Sequence, residues 1–215
     1  FDQQHIDFSA QSVCHSVPQP TGEVGPLNFC CGDSDPSTYI RADCLPISGT
    51  FAKMPKTIVG VMGPGEGATP EDLINAEELG KRIAAAGWLL LTGGRDEGVM
   101  DAAAKGAKAA GGETIGILPT KGPGSTSTHI DIAIYTDLGQ GRNSVNVLTS
   151  NAVVAVGMGP GTASEVSLAL KSGKPVVMMT ADKEAVAFFS KLGGPLVTVA
   201  ADVAAAAAAL KKTLE

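Results

Sequence analysis

The sequence predicts an α/β protein, a doubly wound parallel sheet with helices on both faces, behind an irregular N-terminal extension. Two observations predict it. From Met54 onward, short apolar runs alternate with helix-length segments. That alternation builds a parallel sheet covered on both sides, and right-handed crossovers wind it doubly. The second observation is where the glycines fall. Three strand ends carry them: Gly63-Pro64-Gly65-Glu66-Gly67, Gly93-Gly94-Arg95, and Gly157 to Gly161. In such sheets ligands bind beyond the carboxyl ends of the strands, near the point where strand order reverses.

Each element has its own signal. Thr57 to Met62 is a short, mostly apolar run that ends in Gly-Pro-Gly, as a buried strand would. Thr69 then caps a helix, with Pro70 in the first helical position and Glu71 and Asp72 in the first turn. That helix runs to about Ala86, and Gly87 stops it. Trp88 to Thr92 is the second strand. Val99 to Ala110 is the second helix, ended by Gly111-Gly112. Strands follow at Thr114 to Leu118 and Ile130 to Tyr135, and a helix at Arg142 to Ser150. Ala152 to Val156 is a strand with its helix at Ala163 to Lys171. Pro175 to Met179 and Leu196 to Val199 are the last strands. Their helices are Lys183 to Lys191 and Asp202 to Leu214, the latter capped by Asp202.

Residues 1–53 read differently. They hold all four cysteines (Cys14, Cys30, Cys31 and Cys44) and show no period of two or 3.6. They carry two basic and six acidic residues. Two adjacent cysteines and no CxxC fit no zinc pattern. We therefore expect an irregular extension and place the start of the cofactor-binding domain, residues 54–215, at Met54.

Composition removes several functions. The net charge is −6, aromatic residues make up 4%, and no Lys/Arg run occurs, so a nucleic-acid partner is not expected. No apolar run reaches about 18 residues, so no membrane partner is expected. No secretory signal is visible, and the expected location is cytoplasmic.

The glycine-rich strand ends supply the candidate ligand contacts. The first gives Gly63, Pro64 and Gly65. It is a loose match to the dinucleotide fingerprint. However, Pro64 and Glu66 sit where backbone would approach a pyrophosphate, and no acid follows about 20 residues on to hold a ribose. The second gives Gly93, Gly94, Arg95, Gly98, Val99 and Met100. Here Gly98 opens a helix whose first amides could face an anion, and Arg95 either grips a phosphate or pairs with Asp96 or Glu97 on the surface. Arg142 and Asn143 open a third helix. A cation there opposes the helix dipole unless an anionic ligand lies beside it, and the alternative is an exposed arginine.

The third glycine-rich end gives Met158, Gly159, Gly161, Thr162 and Glu165. It is no Walker loop, because no Lys follows the glycines. The amides of Gly159, Gly161 and Thr162 suit one phosphate. Glu165 has two readings. Thr162-Ala163-Ser164-Glu165 fits a capping box, or Glu165 is a carboxylate aimed at the ligand.

These residues carry a resemblance. "IVGVMGPG", "AAGWLLLTGGRDEGVMDAAAKGAKAAGGETIGILP", "NVLTSNAVVAVGMGPGTASEVSLALKSGKPVV" and "LVTVAADVAAAAAALK" closely resemble the molybdenum cofactor carrier proteins of green algae, over roughly residues 54–215. The resemblance implies a Rossmann-like fold, a homotetramer and reversible binding of the molybdenum cofactor, molybdopterin carrying molybdenum. It also implies protection of that cofactor and its delivery to molybdoenzymes such as nitrate reductase, without catalysis.

The wider relatives are cytokinin-activating phosphoribohydrolases, often labelled lysine decarboxylases, which release the base from a nucleoside 5'-monophosphate. Their signature is Pro-Gly-Gly-x-Gly-Thr-x-x-Glu. Gly157 stands here for its Pro and Met158 for its first Gly, while the Glu matches Glu165 and an upstream Arg matches Arg142. The Lys after that Arg is Asn143. If the chain is an enzyme, Arg142 and Glu165 are its catalytic residues. A long Met158 where Gly allows close approach argues against cleavage.

Two further expectations concern metal chemistry. No Cys or His falls in the three glycine-rich loops, so no protein thiolate or imidazole there would take the molybdenum from its carrier ligand. His129 ends a stretch expected to be flexible, Thr120 to His129.

Overall fold

The computed structural model describes residues 55–214. The extension, with the four cysteines, lies outside the described residues. Thirteen strands and helices alternate as expected. They are β1 (Ile58–Met62), α1 (Pro70–Ala85), β2 (Leu89–Thr92), α2 (Gly98–Ala109), β3 (Thr114–Leu118), β4 (Ile132–Tyr135), α3 (Arg142–Thr149), β5 (Ala152–Val156), α4 (Pro160–Lys171), β6 (Val176–Met179), α5 (Lys183–Gly193), β7 (Val197–Val199) and α6 (Val203–Leu214).

All seven strands pair in parallel, in the order β4-β3-β2-β1-β5-β6-β7. The chain winds outward from β1 to β4, then returns to lay β5 on the free side of β1. Strand order therefore reverses between β1 and β5. Their register, Val59 beside Ala152 through Met62 beside Ala155, brings the Gly63 and Gly157 turns side by side.

Strand side chains alternate between two cores. Val59, Val61, Ala152, Val154 and Val156 face one cluster with Leu79, Ile83, Val99 and Leu210. Met62, Val153 and Ala155 face another with Val147, Val166 and Phe189. Helices α1, α2 and α6 cover the first face, and α3, α4 and α5 the second. β3 and β5 are buried along their whole length, which is why they read as continuous apolar runs. β4 begins two residues later than expected and exposes Ile132, Ile134 and Tyr135. It is one edge of the sheet, with no strand beyond it among the described residues.

Local chemistry starts the helices as the sequence foretold. Thr69 caps α1: its hydroxyl accepts from the Asp72 amide at 3.1 Å, and Asp72 accepts from the Thr69 amide at 3.0 Å. Asp182 and Asp202 cap α5 and α6 in the same way, accepting from the Ala185 and Ala205 amides at 2.9 and 2.7 Å. Each such cap is worth about 1 kcal/mol.

Candidate functional site

A cavity of about 260 Å³ opens at the strand-order reversal, above the carboxyl ends of β1, β2 and β5. The turn after β1 contributes Gly63, Pro64, Gly65 and Glu66. The turn after β2 contributes Gly93 and Arg95, and α2 contributes Met100. Gln140 comes from the 3-10 turn Gly139–Gly141 just before α3, Arg142 is the first residue of α3, and Gly159, Pro160, Gly161, Thr162 and Glu165 come from the start of α4. Val61 and Met62 of β1 complete the lining.

Helix α4 begins earlier than the sequence reading placed it. Gly159 is its N-cap and Pro160 its first residue, without any side-chain cap. Thr162 is then the third residue of the helix, not its cap. The capping-box reading of Thr162 and Glu165 therefore fails, because a capping box needs its Ser or Thr at the N-cap. The Gly161 and Thr162 amides belong to the helix's first turn, where no intrahelical carbonyl is available to them. The Thr162 hydroxyl is buried and has no hydrogen-bond partner.

Glu165, one turn on, is only 6% exposed and faces the cavity. Asn146 of α3 donates its Nδ2 proton to Oε1 at 2.8 Å. The Arg142 guanidinium lies 3.9 Å from the same oxygen. Burial pushes the Glu165 carboxyl above its ordinary range, while the Asn146 bond and the Arg142 charge pull it back. Arg142 itself is 8% exposed. Burial disfavours its charge, Glu165 supports it and Arg95 repels it. An arginine does not lose its proton in a protein, so an anion beside Arg142 would offset the cost of burying its charge.

The exposed-arginine alternative for Arg142 is thus corrected. Its position at the start of α3 turns it inward, over Gly93. A Cβ at Gly93 would overlap both guanidinium nitrogens and come within 2.6 Å of Met100 Sδ. The Nε of Arg142 is buried without a partner. A buried donor left unpaired costs about 1–3 kcal/mol, and two such atoms, Arg142 Nε and Thr162 Oγ1, belong to residues that line the cavity.

Arg95 takes the surface-pair option from the sequence reading while still lining the cavity. Its Nη2 lies 2.9 Å from Glu97 Oε2. The α2 start does not offer its amides as expected. Val99 donates to the Pro64 carbonyl at 3.0 Å, and Val99 is itself core. Gly98 holds φ +55°, and a Cβ there would come within 2.3 Å of the Gly65 carbonyl oxygen, so the turn after β1 closes over this helix end.

Five candidate contacts lie outside the cavity lining: Gly94, Gly98, Val99, Asn143 and Met158. Asn143 is buried. Met158 packs against the α3–α5 core and does not fill the approach to the loop. Met158 therefore poses no steric bar at the cavity. The cause is backbone: Gly157 sits at φ +68°, which proline cannot adopt, so this turn departs from a Pro-Gly-Gly path. Sequence reasoning missed Val61, Met62, Glu66, Gln140 and Pro160. Gln140 carried a usable signal, lying two residues before Arg142 in the Gly-Gln-Gly stretch.

The segment expected to be flexible, Thr120 to His129, is tied down. Asp96 donates to the Ser125 carbonyl at 2.8 Å and Ser127 to the Gly94 carbonyl at 2.9 Å. His129 Nδ1 lies 3.1 Å from Asp101 Oδ1, and the Ser127 hydroxyl donates to that same oxygen at 2.6 Å. Ser127 Oγ also lies 3.4 Å from His129 Nδ1, so Ser127, His129 and Asp101 close one small network outside the cavity lining. No His or Cys among the described residues lines the cavity. No group of three potential metal ligands occurs among them either.

The comparisons agree with this architecture. The model of the SLOG cluster4 family matches residues 56–207. The chain is 50% identical to the molybdenum cofactor binding protein of the phototrophic bacterium Rippkaea orientalis. That match covers 75% of this chain and 99% of the other, with a TM-score of 0.74. It is 58% identical to the molybdenum cofactor carrier protein of Chlamydomonas reinhardtii, over 74% of this chain and 98% of that one, with a TM-score of 0.71. A more distant likeness, 34% over 112 residues, is to the cytokinin riboside 5'-monophosphate phosphoribohydrolase of Mycobacterium tuberculosis, over 48% of this chain and 60% of that protein. The chain therefore belongs to the SLOG cluster4 family, as a homologue of the molybdenum cofactor carrier proteins.

Proposed function

We propose that this protein binds the molybdenum cofactor as cargo, shields it and delivers it to molybdoenzymes such as nitrate reductase, without catalysis. One observation carries the reading. Buried, unpartnered donors on Arg142 and Thr162 meet the open first turn of α4 in one cavity. This combination fits the phosphate end of a phosphorylated pterin. Identity of 50–58% to cofactor binding and carrier proteins, over nearly their whole length, supports the cargo.

The cavity's size also fits a donor. At about 260 Å³ it is at the small end of ligand sites. A phosphate and part of a pterin fill it, leaving the molybdenum and its two sulfurs toward the mouth for transfer. The lining supplies no thiolate or imidazole to compete for the metal. By the same homology we propose a homotetramer working in the cytoplasm.

A second reading, hydrolysis of a nucleoside 5'-monophosphate, is favoured by the buried Glu165 carboxyl beside Arg142, a fitting general acid. The absence of a Lys at Asn143 counts against it.

One experiment separates the two. Purified full chain is incubated with AMP and with a cytokinin nucleotide, while cofactor binding and handover to cofactor-free nitrate reductase are measured in parallel. Saturable binding and handover without base release support carriage. Base release that Glu165→Ala abolishes would overturn it. X-ray absorption of the loaded protein must show no Cys or His bond to molybdenum, and light scattering must give the mass of four chains.

A further inference from the structure

Arg95 is the cavity's second guanidinium, and the protein has already given it an anion. Its Nη2 lies 2.9 Å from Glu97 Oε2, with side chains 38% and 36% exposed. The pair lies against the rim turn after β1: a Cβ on Gly65 would come within 2.9 Å of Arg95 Nη2 and 3.0 Å of the Glu97 carboxyl carbon. Arg95 Nε is buried without a partner. So the guanidinium is half used, one edge on Glu97 and one edge idle, while the residue lines the cavity.

Glu97 has no other evident task. It is the N-cap residue of α2 and makes no side-chain cap bond. An ion pair this exposed contributes little to stability. A phosphomonoester offers three oxygens and about two charges, and arginine binds such groups through two parallel bonds. The exchange of Glu97 for phosphate on Arg95 is therefore downhill, but only partly, because the Glu97 bond must break first.

We infer that Glu97 sets the affinity of the cavity for phosphate-terminated ligands: it occupies Arg95 in the free protein, and the incoming phosphate displaces it. This rests on the reading of the cavity as a phosphate site and extends it to regulation. Ligand departure is assisted by the return of Glu97 to Arg95, which keeps binding reversible. Glu66, unlike Glu97, belongs to the cavity lining; it has no ion pair with Arg95 and acts only through space.

The test is a double-mutant cycle on the full chain, read by calorimetry with inorganic phosphate and, separately, with the molybdenum cofactor. Glu97→Gln should tighten phosphate about three- to fivefold, with slower release. In an Arg95→Met background the same substitution should do nothing, whereas Glu66→Gln should keep its effect there. Thermal unfolding confirms that each variant folds. Unchanged affinity in Glu97→Gln overturns the inference, as does a gain that survives Arg95→Met, or a wild-type chain that binds no phosphate. If the phosphate arm behaves as expected and the cofactor does not bind, the inference stands and the cargo reading falls. If the cofactor binds and Glu97→Gln changes nothing, the reverse holds.

Discussion

Two helix starts at the cavity rim look alike as sequence and differ as structure. Both α2 and α4 follow a buried strand through a glycine-rich turn, and both offered amides to an anion. At α2 the Pro64 carbonyl takes the Val99 amide and the Gly65 backbone presses on Gly98. At α4 the Thr162 hydroxyl is unpaired and Gly161 faces open space. The protein fills one helix end with itself and leaves the other for a ligand. A glycine at a strand end therefore serves either close packing or close approach of a ligand, and only its neighbours distinguish the two.

The same substitution at each start breaks the comparison most sharply. Gly98→Ala forces a side chain into φ +55° and into the Gly65 backbone. It should lower stability by about 2–3 kcal/mol, read by urea unfolding. Gly161→Ala meets nothing within 4 Å. It should leave stability within about 0.5 kcal/mol, while lowering affinity for phosphate. Equal destabilisation at both sites would erase the distinction.

Arg142→Met comes next. Removing a buried charge-assisted donor should weaken phosphate binding by about 2 kcal/mol, roughly thirtyfold, by calorimetry. A variant binding as tightly as wild type would show that the α4 start works without Arg142. Thr162→Val has a smaller effect, and of opposite sign in the two states. Losing an unpaired buried hydroxyl should leave the free protein as stable or slightly more so. Phosphate affinity should drop about fivefold, near 1 kcal/mol.

The smallest effect is a pH slope. Burial raises the Glu165 carboxyl in the folded state above its ordinary 4.5. From pH 4.5 upward the unfolded chain releases this proton before the folded one does. Stability is therefore fully present below pH 4.5 and declines until the folded carboxyl has ionised. Glu165→Gln, which can still accept from Asn146, should remove that decline. Melting temperatures of the two proteins should converge near pH 4.5 and separate at neutral pH, with Gln the higher. Curves that stay parallel at every pH would show that folding does not raise the Glu165 carboxyl.

The fold was legible because its signals are local. Alternating apolar runs and helix caps at Thr69 and Asp202 act within a few residues, and each formed where read. The site was half legible. Gly63, Gly65, Gly93, Arg95, Arg142, Gly159, Gly161, Thr162 and Glu165 lie around one cavity, because glycine-rich strand ends of a parallel sheet share one rim. Met158 misled, because whether a side chain turns to the ligand or the core depends on Gly157 at φ +68°.

The sequence by itself determined the strand and helix order, the rim on which a ligand would sit and the family resemblance. Periodicity, caps and glycines encode these within short stretches of chain. The tertiary structure decided what each rim residue does. It closed α2 with Pro64, freed Thr162 from capping, turned Arg142 inward beside Glu165 and gave Arg95 to Glu97. Those outcomes depend on which residues from distant strands come within about 3–4 Å, a distance no local pattern carries.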